Sequence, residues 1–222
     1  MKSTIFITGT GTGVGKTVLT ALLAEFFRSR SLRVAALKPV CSGGREDARR
    51  LHAALGGALT LDQINPWHFR AAIAPLLAAR QERKRVTLAP VLAHVRQVRQ
   101  QFEVVLVEGA GGLLSPLGAG FNSRDLISAL EATPIVVAPN QLGVVNHILL
   151  TLEALPEVLR HQARVVLMSP PKPDAAMASN TRLLRQLSVP NLCALPWLGP
   201  GFSESEVLLK PEVRKTLAKL VD

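Results

Sequence analysis

The chain has 222 residues, 48% of them hydrophobic, with 26 Lys/Arg against 16 Asp/Glu for a net charge of +10, and this length suits one α/β domain with a proper core (residues 1–222). Cys41 and Cys193 show no metal-ligand spacing and are expected as free thiols of a reducing compartment rather than as a bridge. No apolar run approaches the ~18 residues that cross a bilayer, and Met1-Lys2-Ser3 leads into a strand pattern without a charged-then-apolar leader, so the expected location is the cytoplasm, with no membrane partner.

Residues 4–8 form a short apolar strand pattern, and residues 9–17 read Gly-Thr-Gly-Thr-Gly-Val-Gly-Lys-Thr before an amphipathic helix pattern over 18–30. A glycine-rich turn between strand and helix presents backbone N–H groups around a concavity, and the helix adds its unpaired donors and positive dipole end. Lys16 then supplies a charge for the outer phosphates and Thr17 a hydroxyl for magnesium. Counted strictly, the first-glycine position of the common phosphate-loop pattern is Thr10, which points away from ordinary GTPases toward a subset of the P-loop class.

A second strand pattern at 33–37 is followed by Lys38-Pro39-Val40-Cys41-Ser42-Gly43-Gly44, and helix patterns follow at 47–55, 75–80 and 89–100. Lys38, pre-ordered by Pro39, falls on the same sheet edge as Lys16, where a second lysine is suited to stabilising transferred charge. Ser42 can donate to a carboxylate or carbamate; Cys41 is read as a small residue or as a modifiable thiol near a site. Asp47 opens a helix and reads equally as a metal ligand or as a favourable N-terminal acid, with Glu46 as its neighbouring competitor. Residues 28–103 hold 14 Lys/Arg against 5 Asp/Glu. No aromatics are interleaved for base stacking, so this is a solvated basic face rather than a nucleic-acid site, and its field would also attract a nucleotide and a carboxylate substrate.

The strand pattern at 104–107 runs into Glu108-Gly109-Ala110-Gly111-Gly112, which places a carboxylate for magnesium or its water beside a turn that allows close approach. Thr17, Asp47 and Glu108 together would give magnesium one hydroxyl and two carboxylates, with phosphate oxygens and waters completing an octahedron. A helix pattern (123–130), a strand (135–138) ending in Asn140-Gln141-Leu142-Gly143, and a helix (144–155) come next. Then follow a strand (165–168), a proline-rich loop (170–174) whose Pro-Asp end is suited to starting a helix, a helix (177–186) and a strand (192–195). The mildly amphipathic end, 213–221, reads as a helix packed on the sheet. Strands separated by helices predict parallel crossovers, a sheet covered on both faces, and ligands at the strands' carboxyl ends: a P-loop NTPase-like α/β fold.

Thr8-Gly9-Thr10, Val14-Gly15-Lys16-Thr17, Lys38-Pro39-Val40-x-Ser42-Gly43, Val107-Glu108-Gly109-Ala110-Gly111-Gly112, Leu142-Gly143-x-x-Asn146-His147 and Pro196-Trp197-Leu198 occur in order along most of the chain. Together they resemble the dethiobiotin synthetase family. The resemblance implies ATP-dependent, magnesium-assisted carboxylation and ring closure of 7,8-diaminopelargonate with CO2, in which an N7-carbamate is phosphorylated before the other amine closes the ureido ring. It implies Lys38 and Lys16 as catalytic and Thr12 and Ser42 at the carbamate. It further implies Gly13, Val14, Gly15, Lys16, Thr17, Val18, Glu108, Gly109, Ala110 and Gly111 at the phosphates, and Pro196, Trp197 and Leu198 at the nucleoside. A homodimer is implied as well, with the substrate carboxylate on the partner's helix start at residues 143–146, carrying Gly143 and Asn146.

Some positions depart from the family pattern. Gly11 stands where many members are acidic, Met168 or Ser169 where an Asn reads adenine, Cys193-Ala194 for Gly-Glu, and Ala74-Pro75-Leu76 for Ser-Pro-His. With no tyrosine in the chain, Ser179 or Asn180 is the nearest stand-in for one near the substrate tail. The alternative within the superfamily, a partitioning or septum-site regulatory ATPase, carries a signature lysine where this loop has Gly11.

Overall fold

The computed structural model describes residues 3–172, 174–189 and 191–221; the start of the chain, including the reading of Met1 and Lys2, lies outside them. In chain order the elements are β1 (Ser3–Gly9), α1 (Lys16–Ser29), β2 (Val34–Leu37), β3 (Val40–Ser42), α2 (Glu46–Ala54), α3 (Leu61–Ile64) and β4 (Trp67–Phe69). Next come α4 (Pro75–Gln81), α5 (Leu88–Arg99), β5 (Val104–Glu108), β6 (Pro116–Gly118), β7 (Phe121–Asn122), α6 (Ser123–Leu130) and β8 (Thr133–Pro139). The chain continues with α7 (Val144–Glu153), α8 (Glu157–Gln162), β9 (Arg164–Met168), α9 (Ala175–Gln186), β10 (Leu192–Leu195), α10 (Glu204–Leu208) and α11 (Pro211–Val221).

Six strands form one sheet in the order β10-β9-β8-β1-β5-β2, and every pairing in it is parallel. All residues of β2 and β5 are buried; because successive side chains point to opposite faces, this requires cover on both sides of the sheet. The expected fold class is thus the observed one. The strand order reverses direction at β1, flanked by β5 and β8, which places a ligand crevice at the carboxyl end of β1. The register pairs Ile7 with Glu108, so the phosphate loop and the acid leave neighbouring strands at the same level.

Four short strands outside the main sheet escaped the sequence reading: the parallel pair β3–β4, with Val40 opposite Trp67, and the antiparallel pair β6–β7. Two or three residues carry no measurable periodicity, so only tertiary pairing defines them. Asp174 caps α9, its side chain accepting from the Met177 N–H at 2.9 Å. The terminal helix α11 buries Val213, Leu217 and Leu220, the i, i+4, i+7 stripe of a packed helix.

Candidate active site

The phosphate loop is held open by steric necessity. Gly15 has φ 100°, and a side chain there would lie 3.0 Å from Met168 Cγ; glycine alone takes this backbone without strain. At Gly9 a Cβ would lie 2.7 Å from Val14 Cγ2 and 2.9 Å from the Val137 carbonyl, so the loop's first turn needs close backbone approach. The helix behind it, α1, has no side-chain cap and no acid in its first turn, which leaves its N-terminal donors for an anion. Lys16 is buried and donates to the Gly11 carbonyl at 2.6 Å. Burial, followed by the charge of Lys38, lowers its pKa from 10.5 to about 8, against the opposing pull of Glu108 and Asp47.

Lys38 leaves the end of β2 and bridges two acids, with its Nζ 2.6 Å from Asp47 Oδ2 and 2.6 Å from Glu108 Oε1. Burial alone would lower its pKa, yet the Glu108 and Asp47 carboxylates overcome that and hold the ammonium above the ordinary lysine range. Asp47 is held below the usual carboxylate range: burial acts the other way and is outweighed by Lys38, the Thr17 hydroxyl and Lys16. Thr17 Oγ1 donates to Glu108 Oε1 at 2.7 Å. The second oxygen of this buried carboxylate, Glu108 Oε2, has no hydrogen-bond partner among the described residues. Glu46 faces away and pairs with Arg49 at 2.8 Å, so of the two adjacent acids it is Asp47 that meets the lysine.

A cleft of about 710 Å³ opens beside this cluster, taking in Thr12, Gly13, Gly15 to Val18, Lys38, Asp47, Glu108, Ala110 and Gly111. Beyond Ser42 its wall turns apolar, with Ala72, Ile73, Pro75 and Pro116. Ser42 Oγ donates to the Ile73 carbonyl at 2.5 Å, tying β3 to the α4 side of the cleft. Cys41 lines the same space, and burial pushes its thiol up; Cys41 and Cys193 are both free thiols. Val14 is buried behind the loop, and Gly109 N–H donates to the Ile7 carbonyl, so these two support the cradle from beneath.

Other predicted residues lie elsewhere on the sheet edge. Met168 ends β9 and packs against Gly15 of the phosphate loop, Ser169 follows it, and Pro196, Trp197 and Leu198 follow β10, all on the opposite side of β1 from the strand that carries Lys38. Gly143 caps α7, and Asn146 is exposed and borders a separate hollow of about 340 Å³ with Leu150 and Leu187; one chain does not bring either residue to the cleft. The expected tyrosine stand-ins are otherwise engaged. Asn180 is buried on the inner face of α9, donating to Asn140 Oδ1 at 3.1 Å and to the Gln141 carbonyl at 3.0 Å, and Ser179 donates to the Ala176 carbonyl of its own helix. Sequence reasoning missed Asn65, whose side chain donates to the Lys38 carbonyl at 2.7 Å. Its one signal was the Asn65-Pro66 turn pair, which says nothing about that partner.

A family model described as an AAA domain matches residues 3–201. The chain is 46% identical over 155 residues to the ATP-dependent dethiobiotin synthetase BioD of Anaeromyxobacter sp. (strain Fw109-5), covering 68% of this chain and 70% of the relative. It is 40% identical over 199 residues to that of Anaeromyxobacter dehalogenans (strain 2CP-C), covering 87% and 89%, and 37% identical over 211 residues to that of Xylella fastidiosa (strain M12), covering 90% and 93%. Among solved structures it is similar to pNOB8 ParA bound to nonspecific DNA, with TM-score 0.60, 14% identity and coverage of 100% and 98%. It is also similar to the MinC:MinD cell division protein complex of Aquifex aeolicus, with TM-score 0.60, 15% identity and coverage of 98% and 95%. Identities this low speak for the shared fold alone. Extended identity to the synthetases, over a fold whose phosphate loop, second lysine and strand-end acid converge on one cleft, shows that the chain belongs to the ATP-dependent dethiobiotin synthetase family, ATP-using ligases of biotin biosynthesis.

Proposed function

We propose that this chain, as one catalytic domain, converts 7,8-diaminopelargonate, CO2 and ATP to dethiobiotin, ADP and phosphate. The observation that carries the proposal is Lys38, buried where the phosphate loop meets the cleft and held 2.6 Å from each of two acids. In this reading the N7 amine takes up CO2 as a carbamate, whose oxygen attacks the γ-phosphorus and expels ADP. The N8 amine then attacks the carbonyl of the resulting carbamic-phosphoric anhydride, closing the ring and releasing phosphate. A carbamate is a weak nucleophile and the γ-phosphate is anionic, so catalysis must come from positioning and charge neutralisation. Lys16 serves the outer phosphates, Lys38 faces the charge in transfer, and Thr12 and Ser42 orient the carbamate end. Gly13, Gly15, Val18, Ala110 and Gly111 shape the phosphate cradle, and the apolar wall at Ala72 and Ile73 suits the substrate's alkyl chain.

Thr17, Asp47 and Glu108 fit magnesium: two carboxylates and a hydroxyl converge, and Glu108 Oε2 is a buried oxygen without a protein partner. When bound, magnesium neutralises phosphate charge. We further propose that Met168, Ser169, Pro196, Trp197 and Leu198 border the nucleoside, and that the active unit is a homodimer in which the partner's helix start, with Gly143 and Asn146, receives the substrate carboxylate. Exposure of Leu142, Leu149 and Leu150 around that helix supports a covered face.

The test follows phosphate release and ureido product with ATP and bicarbonate, with and without the diamine. Phosphate release should require the diamine and match dethiobiotin one to one. Equal hydrolysis without diamine, and no ureido product, would sink the proposal.

A further inference from the structure

Lys38 and Pro39 form a break between β2 and β3 in which neither residue belongs to a strand. The Lys38 backbone therefore depends on bonds from elsewhere, and both come from the segment that ends α3. Its N–H donates to the Ile64 carbonyl at 2.9 Å, and its carbonyl accepts from Asn65 Nδ2 at 2.7 Å. Pro39, which has no N–H, accepts from the Trp67 N–H at 3.0 Å.

Asn65 is itself fixed on every side. The side chain is fully buried, its Oδ1 accepts from the Cys41 thiol at 3.1 Å, its N–H donates to the Leu61 carbonyl at 2.8 Å, and its carbonyl accepts from Arg45 Nη2 at 3.2 Å. A buried amide bonded through both its oxygen and its nitrogen is a rigid strut. The Lys38 ammonium, by contrast, must meet groups carried by two other elements, Asp47 at the start of α2 and Glu108 at the end of β5.

We propose that Asn65 is a positioning residue for the phosphoryl-transfer step, acting through Lys38 by fixing the backbone from which the ammonium reaches its place. The inference rests on the reading of Lys38 given above. A shift of about 1 Å at a reacting group costs on the order of 10²-fold in rate, and the Asn65 amide is the one side chain among the described residues that bonds the Lys38 backbone.

The test is a double-mutant cycle on the full chain. Asn65→Asp keeps the shape of the side chain and loses the donor; Asn65→Ala is the second variant should the first not fold, and binding of a non-hydrolysable ATP analogue confirms an intact nucleotide site. Single-turnover formation of ADP, the product expelled in phosphoryl transfer, is measured for the parent, N65D, K38A and the K38A/N65D double variant. N65D should lose ~10–100-fold in rate with analogue affinity within about twofold of the parent, and should add less than about twofold to the loss already caused by K38A. A purely structural Asn65 would lower thermal stability without changing the rate of the folded fraction, or would reduce the rate by the same factor in both backgrounds, and either result overturns the proposal. K38A turning over at the parental rate would instead refute the role of Lys38, and with it any action of Asn65 through that residue.

Discussion

Replacing Lys38 by Met should destabilise the protein more than neutralising Glu108, although both changes break the same contact. Lys38 and Glu108 side chains are 6% and 0% exposed, whereas Asp47 is 48% exposed. Lys38→Met leaves the Glu108 carboxylate buried with no countercharge within reach of that bond, and removing one partner of a buried pair costs about 3–5 kcal/mol. Glu108→Gln keeps an acceptor for Thr17, and Lys38 keeps Asp47, so the loss is nearer that of a charged hydrogen bond, about 1.5–3 kcal/mol. For a chain of this size each kcal/mol moves Tm by roughly 2–4 °C, giving drops of about 6–20 °C and about 3–12 °C. The double variant, which no longer buries the Glu108 carboxylate without its lysine, should lie above Lys38→Met alone. Urea unfolding at pH 7.5 measures all three. The Lys38–Asp47 pair also carries a pH trend. Lys38 is the main group holding Asp47 below its unfolded value, so the stability Asp47 supplies is present above about pH 4 and is lost as the pH falls through the lower folded value. The gap between the parent and Lys38→Met should therefore narrow on acidification below about pH 4. A Lys38→Met protein within 1 kcal/mol of the parent, on the scale of about 3–5 kcal/mol expected, or a double variant less stable than Lys38→Met, would refute the argument.

Lys16 contributes a cost where Asp47 contributes a gain, with the same direction of pH dependence: its folded pKa, lowered to about 8, lies below the unfolded value, so the cost of burying its charge is full below pH 8 and is relieved as the pH rises toward about 10. Nucleotide binding near pH 8 should accordingly take up protons, read by calorimetry in buffers of different ionisation enthalpy, while ligand-free Lys16→Met should be at least as stable as the parent and bind ATP poorly; buffer-independent heats would contradict this. Asn146→Ala should raise the KM for the diamine with ATP binding nearly unchanged, and mixing its chains with inactive Lys38→Ala chains should regenerate one intact site per heterodimer. Failure of subunit exchange to restore low-KM activity would exclude the shared site and leave the nucleotide assignments in place.

Local order along the chain was enough to read the phosphate loop, the parallel fold and the placement of Lys38 and Glu108 at strand ends. Each of these depends on neighbours in sequence: glycine spacing, apolar runs, and the rule that ligands gather at the carboxyl edge. The choice between Asp47 and Glu46 was not legible, because adjacent helix residues differ only in the direction they face, and α2's packing sets that direction. Only tertiary structure decided that Asn180 serves the Asn140 loop rather than the cleft, and that Asn65, 27 residues from Lys38, holds its backbone. A side-chain amide has no periodicity and no fixed partner in sequence. What it bonds is settled when separate segments are folded against each other and a buried polar group must find its donors and acceptors.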